Sequence, residues 1–544
     1  MNYNQYYHDF SWTEVFEQYG WNPKEKFNLA HECCDKWADD PNRIAIYWHD
    51  ENGNRDAWTY SRLRETSNRM ANLLKYKGIK KGDKVSGLLG KDMELIITIL
   101  ATWKIGAVYV PLFTAFGPDA ILHRINDAEC KLLVTNNEQH NKIKDFELST
   151  EIIRIDEVND KGLNFWDYLN TFSSIHETEP TSENDPCVIQ YTSGSTGLPK
   201  GAVWAHKILY SEYSLFKYGM GISEDDIVFG GPDLGWAHGL MNCTLGPLNL
   251  GISNVIYKGS FDAENLYRIW EEYNVTNVLY SPTAFRMMLN SGVDRIKKFN
   301  LKVKKFSSAG ETLNTDLVEF IEQEFNAKIC DLYGSTEAGM IIANYHGLDV
   351  PVKPGSMGRV VPGYEVKLVN SEGEEVKDGE VGEIILDAKQ IPFFCLGYYN
   401  NEEKFNEKII NNHFYTGDLA IRDQDGYYWY KGRADDVISS AGYRIGPVEI
   451  EACLLEHPLV GEAAVIGKPD PLKGEIVKAY VKLINPADEK ESLKDELSLF
   501  VKNKLSKHQY PKEIEFIQEL PKTASGKIQR YILKERNELV DNNM

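Results

Sequence analysis

A chain of 544 residues is too long for one hydrophobic core, so we expect two or more domains that include a large α/β unit. Its 81 acidic residues exceed its 60 basic ones, and the net charge of −21 argues against a surface for nucleic acid or for an anionic membrane. An anionic ligand must instead be met by local lysines and arginines.

The N-terminal residues 1–30 are rich in aromatic side chains and lack a basic segment followed by an apolar one. This composition predicts a cap that packs on the body of the protein, and not a signal peptide or a disordered tail. The best apolar run, residues 95–112, is broken by Lys104, so no membrane span is predicted. The eight cysteines form no C-x-x-C pair and mostly lie in apolar runs, which indicates reduced, buried thiols and a cytoplasmic protein.

The most informative segment follows a polar, acidic linker at residues 171–186. Residues 187–191 are apolar and β-branched and predict a strand, and residues 202–220 predict mostly helix. Between them stands Tyr191-Thr-Ser-Gly-Ser-Thr-Gly-Leu-Pro-Lys-Gly201, whose glycines, hydroxyl groups and lysine suit the phosphates of a nucleotide. The spacing from glycine to lysine does not match a Walker A loop, so this is not an ordinary P-loop.

Short strands are predicted next at residues 275–280, 303–308 and 328–332, each followed by a polar or glycine-containing turn. Helical stretches such as residues 315–324 lie between them, which is typical of a parallel sheet with crossover connections. Because ligands collect beyond the carboxyl ends of such strands, we expect these turns to face one crevice.

The pattern changes from about residue 360 to short β segments with glycine-rich turns, and a domain boundary is predicted near residues 433–435. Helices at residues 447–455 and 492–505, with strands at 463–466 and 478–484, then suffice for an α+β domain of about 110 residues. We therefore predict an N-terminal domain at residues 1–434 and a C-terminal domain at residues 435–544.

Together with the loop at residues 191–201, six further blocks follow one another in the order found in the adenylate-forming superfamily of acyl-CoA synthetases, aryl-CoA ligases, luciferases and peptide-synthetase adenylation domains. The blocks are Ser307-Ser-Ala-Gly-Glu-Thr312, Asp331-Leu-Tyr-Gly-Ser-Thr-Glu337, Tyr415-Thr-Gly-Asp418, Lys431-Gly-Arg-Ala-Asp-Asp-Val-Ile438, Gly442-Tyr-Arg-Ile-Gly-Pro447 and Pro521-Lys-Thr-Ala-Ser-Gly-Lys527. The chain resembles this superfamily over about residues 40–530, and its acyl-CoA synthetases most. The resemblance implies an α/β fold: a large N-terminal body of parallel-rich α/β subdomains with a small β subdomain, and a small α+β C-terminal lid that rotates about a hinge at Asp435.

The same resemblance implies that the chain binds ATP with Mg²⁺. Glu337, after Thr336, is expected to be the Mg²⁺ ligand, and both are expected to act in catalysis. Residues implied in nucleotide binding are Thr192, Ser193, Gly194, Ser195, Thr196, Lys200, Gly310, Glu311, Thr312, Asp331, Leu332, Tyr333, Asp418, Arg433 and Arg444. Among these, Asp418 is expected at the ribose, Arg433 at the ribose and phosphates, and Arg444 at a phosphate; Tyr333 fits an adenine slot or a plain core equally well.

Lys527 alone would be an exposed loop lysine, but its motif resembles that of the lysine that bridges the acid's carboxylate and the α-phosphate during adenylation. The sequence from Pro521 to Lys527 also resembles the site that protein acetyltransferases modify in acyl-CoA synthetases. Acetylation there would remove this positive charge.

The resemblance also implies several residues that line the substrate pocket. Acetate-specific relatives carry a tryptophan at the position of Gly334, so we expect an open pocket here and a short- to medium-chain, branched or aromatic acid. The other lining residues implied are Trp236, Ala237, His238 and Ala309. The resemblance also places Ala441, Gly442 and Tyr443 along the tunnel for the pantetheine arm of coenzyme A.

The predicted activity is an AMP-forming acyl-CoA synthetase: a small carboxylic acid and ATP give acyl-AMP, which coenzyme A converts to a thioester. A free-standing adenylation enzyme that passes the acyl group to a carrier protein remains an alternative. A luciferase-like oxygenase shares the motifs, but nothing in the sequence indicates a luciferin. A non-enzymatic binding protein is disfavoured because Lys527, Glu337 and Asp418 are all present.

Overall fold

Parallel strands buried on both faces form the centre of the fold. The structure, a computed structural model, describes residues 2–22, 25–159, 162–192, 199–311, 313–388, 394–440, 443–470, 473–505, 509–523 and 526–541. The strands are β1 Ile44–Asp50, β2 Arg55–Thr59, β3 Lys84–Leu88, β4 Val108–Pro111, β5 Cys130–Thr135, β6 Glu151–Arg154, β7 Pro186–Thr192, β8 Lys200–Ala205, β9 Ile227–Gly230, β10 Ser253–Lys258, β11 Asn277–Tyr280, β12 Lys305–Ala309, β13 Lys328–Ser335, β14 Gly339–Ala343, β15 Arg359–Val360, β16 Val366–Val369, β17 Val381–Asp387, β18 Ile409–Ile410, β19 His413–Arg422, β20 Tyr428–Arg433, β21 Ile438–Ser440, β22 Tyr443–Ile445, β23 Val460–Asp470, β24 Gly474–Leu483 and β25 Glu513–Phe516.

Amphipathic helices cover the sheets. They are α1 Tyr3–Asp9, α2 Trp12–Tyr19, α3 Leu29–Cys33, α4 Tyr60–Tyr76, α5 Met93–Lys104, α6 Pro118–Asp127, α7 Asn137–His140, α8 Phe165–Leu169, α9 Ile208–Ser214, α10 Ala237–Leu240, α11 Gly246–Asn249, α12 Ala263–Glu272, α13 Pro282–Asn290, α14 Thr315–Phe325, α15 Glu402–Asn406, α16 Pro447–Leu455, α17 Glu491–Lys504 and α18 Arg530–Asp541. Wider π-helical turns follow α9 and α10, at Leu215–Gly219 and Met241–Leu245. Among the described residues, no helix combines the length and the apolarity needed to cross a bilayer.

Contacts divide the chain into two compact units. The first contains residues 1–192, 199–365 and 387–412, and the second contains residues 366–386 and the chain from residue 413 onward. The small β subdomain thus clusters with the C-terminal residues. The predicted domain boundary at residues 434 and 435 stays a prediction.

The first unit contains two large sheets. One has the order β15-β14-β13-β12-β11-β9-β10-β1-β2, and its strands from β13 to β1 run parallel. The other has the order β6-β5-β3-β4-β7-β8 and is parallel except for its last pair. Strands such as β4 and β12 are buried almost throughout, as is typical of strands inside a parallel sheet. The predicted parallel sheet is confirmed.

One predicted element is confirmed over most of its length but is wrong at its start. Residues 202–220 were expected to be mostly helix, but β8 extends to Ala205 and pairs antiparallel with β7, with Thr192 opposite Lys200. The helix begins only at Ile208. The run Gly201-Ala-Val-Trp-Ala205 is apolar and short, and such a run cannot be assigned to strand or helix from periodicity alone. Lys200 therefore begins a strand, and no helix N-terminus follows it directly.

The N-terminal aromatic residues form the predicted cap on the first unit. Tyr3 and Trp21 are buried, and the hydroxyl of Tyr3 donates to the carbonyl of Val360 at 2.8 Å. The rings of Phe16 and Tyr210 lie 4.7 Å apart. All eight cysteines are buried and free, as the sequence indicates.

In the second unit, β16 pairs with β17 and β20 pairs with β19, both antiparallel. A separate sheet follows with the order β22-β21-β24-β23, and β25 runs parallel to β24. Helices α16 and α17 bury Ile450 and Leu497 against this sheet in a core of its own. The predicted α+β C-terminal fold is confirmed.

Candidate active site

Lys200 lies at the start of β8 and belongs to the predicted phosphate-binding motif of residues 191–201. Its ammonium lies 5.5 Å from the centre of the Tyr398 ring. Burial lowers the pKa of Lys200, and the neighbouring ammonium groups of Lys408 and Lys404 lower it further, whereas Glu337 acts in the opposite direction. Lys200 and Lys408 therefore bring positive charge to this end of β8, as an anionic ligand requires.

Glu337, two residues after β13, is 6 % exposed. Its Oε1 accepts a hydrogen bond from the hydroxyl of Tyr398, and the ammonium of Lys408 lies 3.7 Å from the same oxygen. The preceding residue, Thr336, is held through its carbonyl, which accepts from the indole N–H of Trp204 at 2.7 Å. The predicted metal ligand is thus a buried carboxylate, and the residue before it is hydrogen-bonded to Trp204 of β8.

The segment at residues 395–399 connects Glu337 to strand β8. The N–H of Cys395 donates to the carbonyl of Glu337 at 3.0 Å, and the N–H of Leu396 donates to the carbonyl of Val203 at 2.8 Å. The N–H of Tyr399 donates to the carbonyl of Gly201 at 2.7 Å. Glu337 and β8 are therefore joined through one extended stretch of backbone.

These residues fit a Mg²⁺ ion that arrives with a nucleotide. Proteins hold such ions with one or two carboxylates, and substrate phosphates and water supply the remaining ligands. Glu337 provides one buried carboxylate next to Lys200. Within the described part of the chain, no group of three or more His, Cys, Asp or Glu side chains could enclose a metal, so a complete protein cage is not formed there.

The turns after β11 and β12 lie side by side, as predicted. In the parallel register Tyr280 is opposite Ser308. The hydroxyl of Thr283, in α13, donates to both carboxylate oxygens of Glu311 at 2.9 and 2.7 Å. Gly310 has a φ of +93°, which favours glycine.

The indole of Trp236 lies against Gly310. A Cβ added at Gly310 would be 2.8 Å from two carbons of this ring, and the rings of Trp236 and His238 are 5.0 Å apart. Ala309, the last residue of β12, is almost completely buried, and Ala237 is half-buried. Two segments that are distant in sequence, residues 236–238 and 309–310, are thus brought together.

The sequence argument about Gly334 is wrong in its physical reason. A Cβ built at this position would lie 2.1 Å from the carbonyl oxygen of Gly339 and 2.6 Å from the Cα of Met340. The space beside Gly334 is therefore filled by the backbone of β14, at an irregularity in the pairing of β13 with β14. The glycine permits this close approach, and it is not evidence of an open acyl pocket.

The predicted adenine segment lies along β13. Asp331 is opposite Ser308 and Leu332 is opposite Ala309. Burial raises the pKa of the Asp331 carboxyl to about 8, although the N–H of Leu332 donates to it and opposes that shift. Leu332 is buried and Tyr333 is half-buried.

In the second unit, Asp418 and Arg433 are directly opposite each other on β19 and β20. Nη1 of Arg433 is 3.4 Å from Oδ1 of Asp418, which also accepts from the hydroxyl of Tyr430 at 3.3 Å. Burial alone would lower the pKa of Arg433, but the carboxylates of Asp418 and Asp435 outweigh it and raise that pKa. The structure thus pairs two residues that the sequence assigned to the ribose and phosphates.

Lys527 lies on a short loop of the second unit and is exposed. The loop is closed by a bridge between Lys522 and Ile528, and the N–H of Lys527 donates to Oγ1 of Thr523 at 3.1 Å. The predicted hinge residue, Asp435, accepts from Arg433 at 3.2 Å.

Some predicted site residues lie outside the described residues: Ser193, Gly194, Ser195, Thr196, Thr312, Ala441 and Gly442. For Tyr443 and Arg444 only the backbone, in β22, is described. The assignments of the phosphate loop and the coenzyme A tunnel stay predictions.

Sequence reasoning did not identify Trp204, Thr283, Tyr398, Lys408 or Tyr430, which contact predicted site residues. Tyr398 and Lys408 lie 61 and 71 residues after Glu337 in the numbering, outside every block used for the resemblance. Only the pairing of residues 395–399 with β8 shows their position.

Comparison with known proteins agrees with this geometry. The family of AMP-binding enzymes matches residues 34–399, and the C-terminal domain of AMP-binding enzymes matches residues 449–527. An acetyl-coenzyme A synthetase of Bacillus subtilis (strain 168) is 36 % identical over 545 residues, covering 98 % of this chain and 94 % of its own. The structure of an acyl-CoA synthetase of Brucella canis is 38 % identical, with a TM-score of 0.78 and complete coverage of both chains. An anthranilate CoA ligase in complex with anthranoyl-AMP is 29 % identical, with a TM-score of 0.86, covering 95 % of this chain and 98 % of its own.

The fold and the comparisons define an ATP-dependent, AMP-forming ligase. The chain belongs to the AMP-binding enzyme family and is an AMP-forming acyl-CoA synthetase within it.

Proposed function

We propose that this enzyme activates a short- to medium-chain carboxylic acid, branched and aromatic acids included, and that it uses Mg²⁺ and transfers the acyl group to coenzyme A. The observation that supports this class of substrate is the contact of Trp236 with Gly310. Ala237 and Ala309 are the sequence neighbours of these two residues, and their small side chains would border the acyl group of the acyl adenylate. An aromatic wall with small neighbours suits an apolar acyl chain.

In the first step, a carboxylate oxygen of the acid attacks the α-phosphorus of ATP, and the bond to pyrophosphate breaks. Mg²⁺ bound through Glu337 would supply positive charge to the phosphates. Lys200 adds a second positive charge, and Asp418 accepts hydrogen bonds from the ribose hydroxyls. Lys527 offsets the negative charge that builds up where the carboxylate meets the α-phosphate.

In the second step, the thiolate of coenzyme A attacks the acyl carbonyl, and AMP leaves. Ala441, Gly442 and Tyr443 would line the passage of the pantetheine arm. No side chain of the enzyme becomes covalently bonded in either step, so the protein acts by positioning and charge neutralisation. Acetylation of Lys527 would stop the first step by removing its charge.

The test measures pyrophosphate release and thioester formation for acetate, butyrate, octanoate and benzoate, each with and without coenzyme A. We expect acid-dependent release of pyrophosphate, and a thioester only when coenzyme A is present. If adenylates form but no thioester appears with coenzyme A, the enzyme is instead an activator for a carrier protein. If none of these acids releases pyrophosphate, the proposed substrate class is wrong.

A further inference from the structure

The side chains of Tyr398 and Lys408 lie beside the Glu337 carboxylate, and they differ in burial and in distance from it. Tyr398 is 5 % exposed, and its hydroxyl donates to Oε1 of Glu337. The side chain of Lys408 is 29 % exposed, and its ammonium is 3.7 Å from the same oxygen. One partner is therefore buried in direct hydrogen-bond contact, whereas the other is more accessible and beyond hydrogen-bond distance.

The position of Tyr398 is fixed from several sides. Residues 395–399 are hydrogen-bonded at one end to the backbone of Glu337 and along their length to residues 201 and 203 of β8. The ring of Tyr398 also packs edge-on against Phe405, with ring centres 5.3 Å apart. Because the segment that carries Tyr398 is anchored to Glu337 through Cys395, the position of the phenol relative to the carboxylate is fixed.

Both contacts reach Oε1 of Glu337. A carboxylate held by one oxygen presents the other in a defined direction, as outer partners do for the ligands of metal ions in general. Lys408 has a separate effect, since a buried carboxylate without a cation is costly. An ammonium at 3.7 Å supplies that charge without a direct hydrogen bond to the carboxylate.

We propose that Tyr398 and Lys408 are positioning residues for the metal-binding carboxylate of Glu337. Tyr398 sets its orientation in every state, and Lys408 balances its charge until a metal–nucleotide complex binds, when Lys408 moves away. This inference rests on the proposed role of Glu337 as the Mg²⁺ ligand. It predicts opposite effects on metal affinity when the two side chains are changed.

The experiment measures Mn²⁺ affinity by electron paramagnetic resonance for the full-length enzyme saturated with a non-hydrolysable ATP analogue. Tyr398→Phe keeps the ring and removes the hydroxyl, and its matched control is Tyr399→Phe on the adjacent residue. We expect Tyr398→Phe to weaken Mn²⁺ binding by about 10–100-fold and Tyr399→Phe to leave it unchanged. Wild-type affinity in Tyr398→Phe, or an equal loss in Tyr399→Phe, would overturn the role of Tyr398.

Lys408→Gln should tighten Mn²⁺ binding several-fold, because a competitor for Glu337 is removed. Its control, Lys404→Gln, changes a neighbouring lysine that pairs with Glu407 at 2.8 Å, and should have no effect. Weaker or unchanged Mn²⁺ binding in Lys408→Gln would overturn the proposal that Lys408 moves away from Glu337 when the metal–nucleotide complex binds.

Glu337→Gln separates this inference from the proposed function. If it retains wild-type Mn²⁺ affinity, Glu337 is not the metal ligand and the proposed metal site fails. If it loses that affinity while Tyr398→Phe and Lys408→Gln do not change it, only the positioning role fails.

Discussion

At the scale of single residues, the most specific prediction concerns the role of Lys527 in acyl-adenylate formation. Its ammonium is exposed on a loop that is closed by backbone contacts, so its removal should not disturb packing. We predict that Lys527→Ala slows acyl-adenylate formation by about 10²–10³-fold, because one charge contact in the transition state is lost. Thioester formation from supplied acyl-AMP should change little. Both half-reactions are measured separately, by pyrophosphate release and by release of AMP.

The matched control is Lys522→Ala. Lys522 lies on the same loop, and its ammonium forms an ion pair with Glu462. Near-normal pyrophosphate release by Lys527→Ala, or an equal loss in Lys522→Ala, would remove Lys527 from the adenylation step.

The acyl pocket is better tested at Ala237 than at Gly334, where any side chain meets the backbone of β14. Ala237 is half-buried beside Trp236, so a larger side chain there should occupy part of the space that we assign to the substrate. We predict that Ala237→Leu lowers kcat/KM for octanoate and benzoate by about tenfold, since each excluded methylene loses about 0.8 kcal/mol of binding. Acetate, measured in the same variant, is the internal control and should be unaffected. A parallel loss for all acids would indicate a damaged fold and reject Ala237 as a lining residue.

At the scale of elements, an ion-pair cluster joins the segment after Asp435 to the C-terminal helices. Arg530, the first residue of α18, contacts both carboxylate oxygens of Glu451 in α16, at 2.9 and 2.7 Å. Its Nη1 also lies 3.2 Å from Asp436, and all three side chains are less than one-fifth exposed. Removal of one partner from such a cluster leaves buried charge without compensation.

Arg530→Gln is therefore predicted to destabilise the protein by about 3–5 kcal/mol. The control is Lys534→Gln, because Lys534 is one turn further along α18 and 3.5 Å from the same Asp436 but is more exposed. Its loss should cost about 0–1 kcal/mol. Denaturant unfolding followed by circular dichroism compares the two, and equal midpoints would contradict the account.

A second element-scale prediction concerns the contact between β8 and α3. The N–H of Leu29 donates to Nδ1 of His206 at 3.1 Å, and burial lowers the pKa of this histidine to about 3. His206 stays neutral in the folded chain, whereas the unfolded chain takes up a proton as the pH falls below the ordinary histidine pKa of 6.5. The stability contributed by neutral His206 is therefore complete above that pH and is lost as the pH falls toward 3.

Between these two pKa values, one proton contributes about 1.4 kcal/mol per pH unit. His206→Gln retains an acceptor for Leu29 but does not titrate, so its unfolding free energy should fall less steeply between pH 6.5 and 5 by about this amount. Equal slopes for the variant and the wild type would show that His206 does not contribute to acid sensitivity.

At the scale of the whole molecule, much of the fold follows from local sequence patterns. The strands β11 to β13, the helix α14 and the helices α16 and α17 are all predicted within a few residues, since buried apolar runs and turn signals bound them. The β7–β8 hairpin is not predictable in this way, because an apolar run as short as residues 201–205 has no distinctive period.

Some features of the candidate site can likewise be predicted from local sequence motifs, and others cannot. Asp418 and Arg433 can be predicted from motifs, and the register of β19 with β20 pairs them. The contact of Tyr398 with Glu337 spans 61 residues and depends on which strand residues 395–399 join, which no local pattern specifies. Gly334 shows the opposite error, because a missing side chain was interpreted as free space although the backbone of β14 occupies it.

The central claim is that the acyl site binds an acid larger than acetate. The most direct test measures the wild-type kcat/KM at saturating ATP and coenzyme A for acetate, propionate, butyrate, hexanoate and benzoate. If the apolar surface near Trp236, Ala237 and Ala309 binds the acyl chain, the best of the larger acids should exceed acetate by about tenfold or more, since two buried methylenes contribute about 1.6 kcal/mol. A wild-type enzyme that is most efficient with acetate would contradict this account.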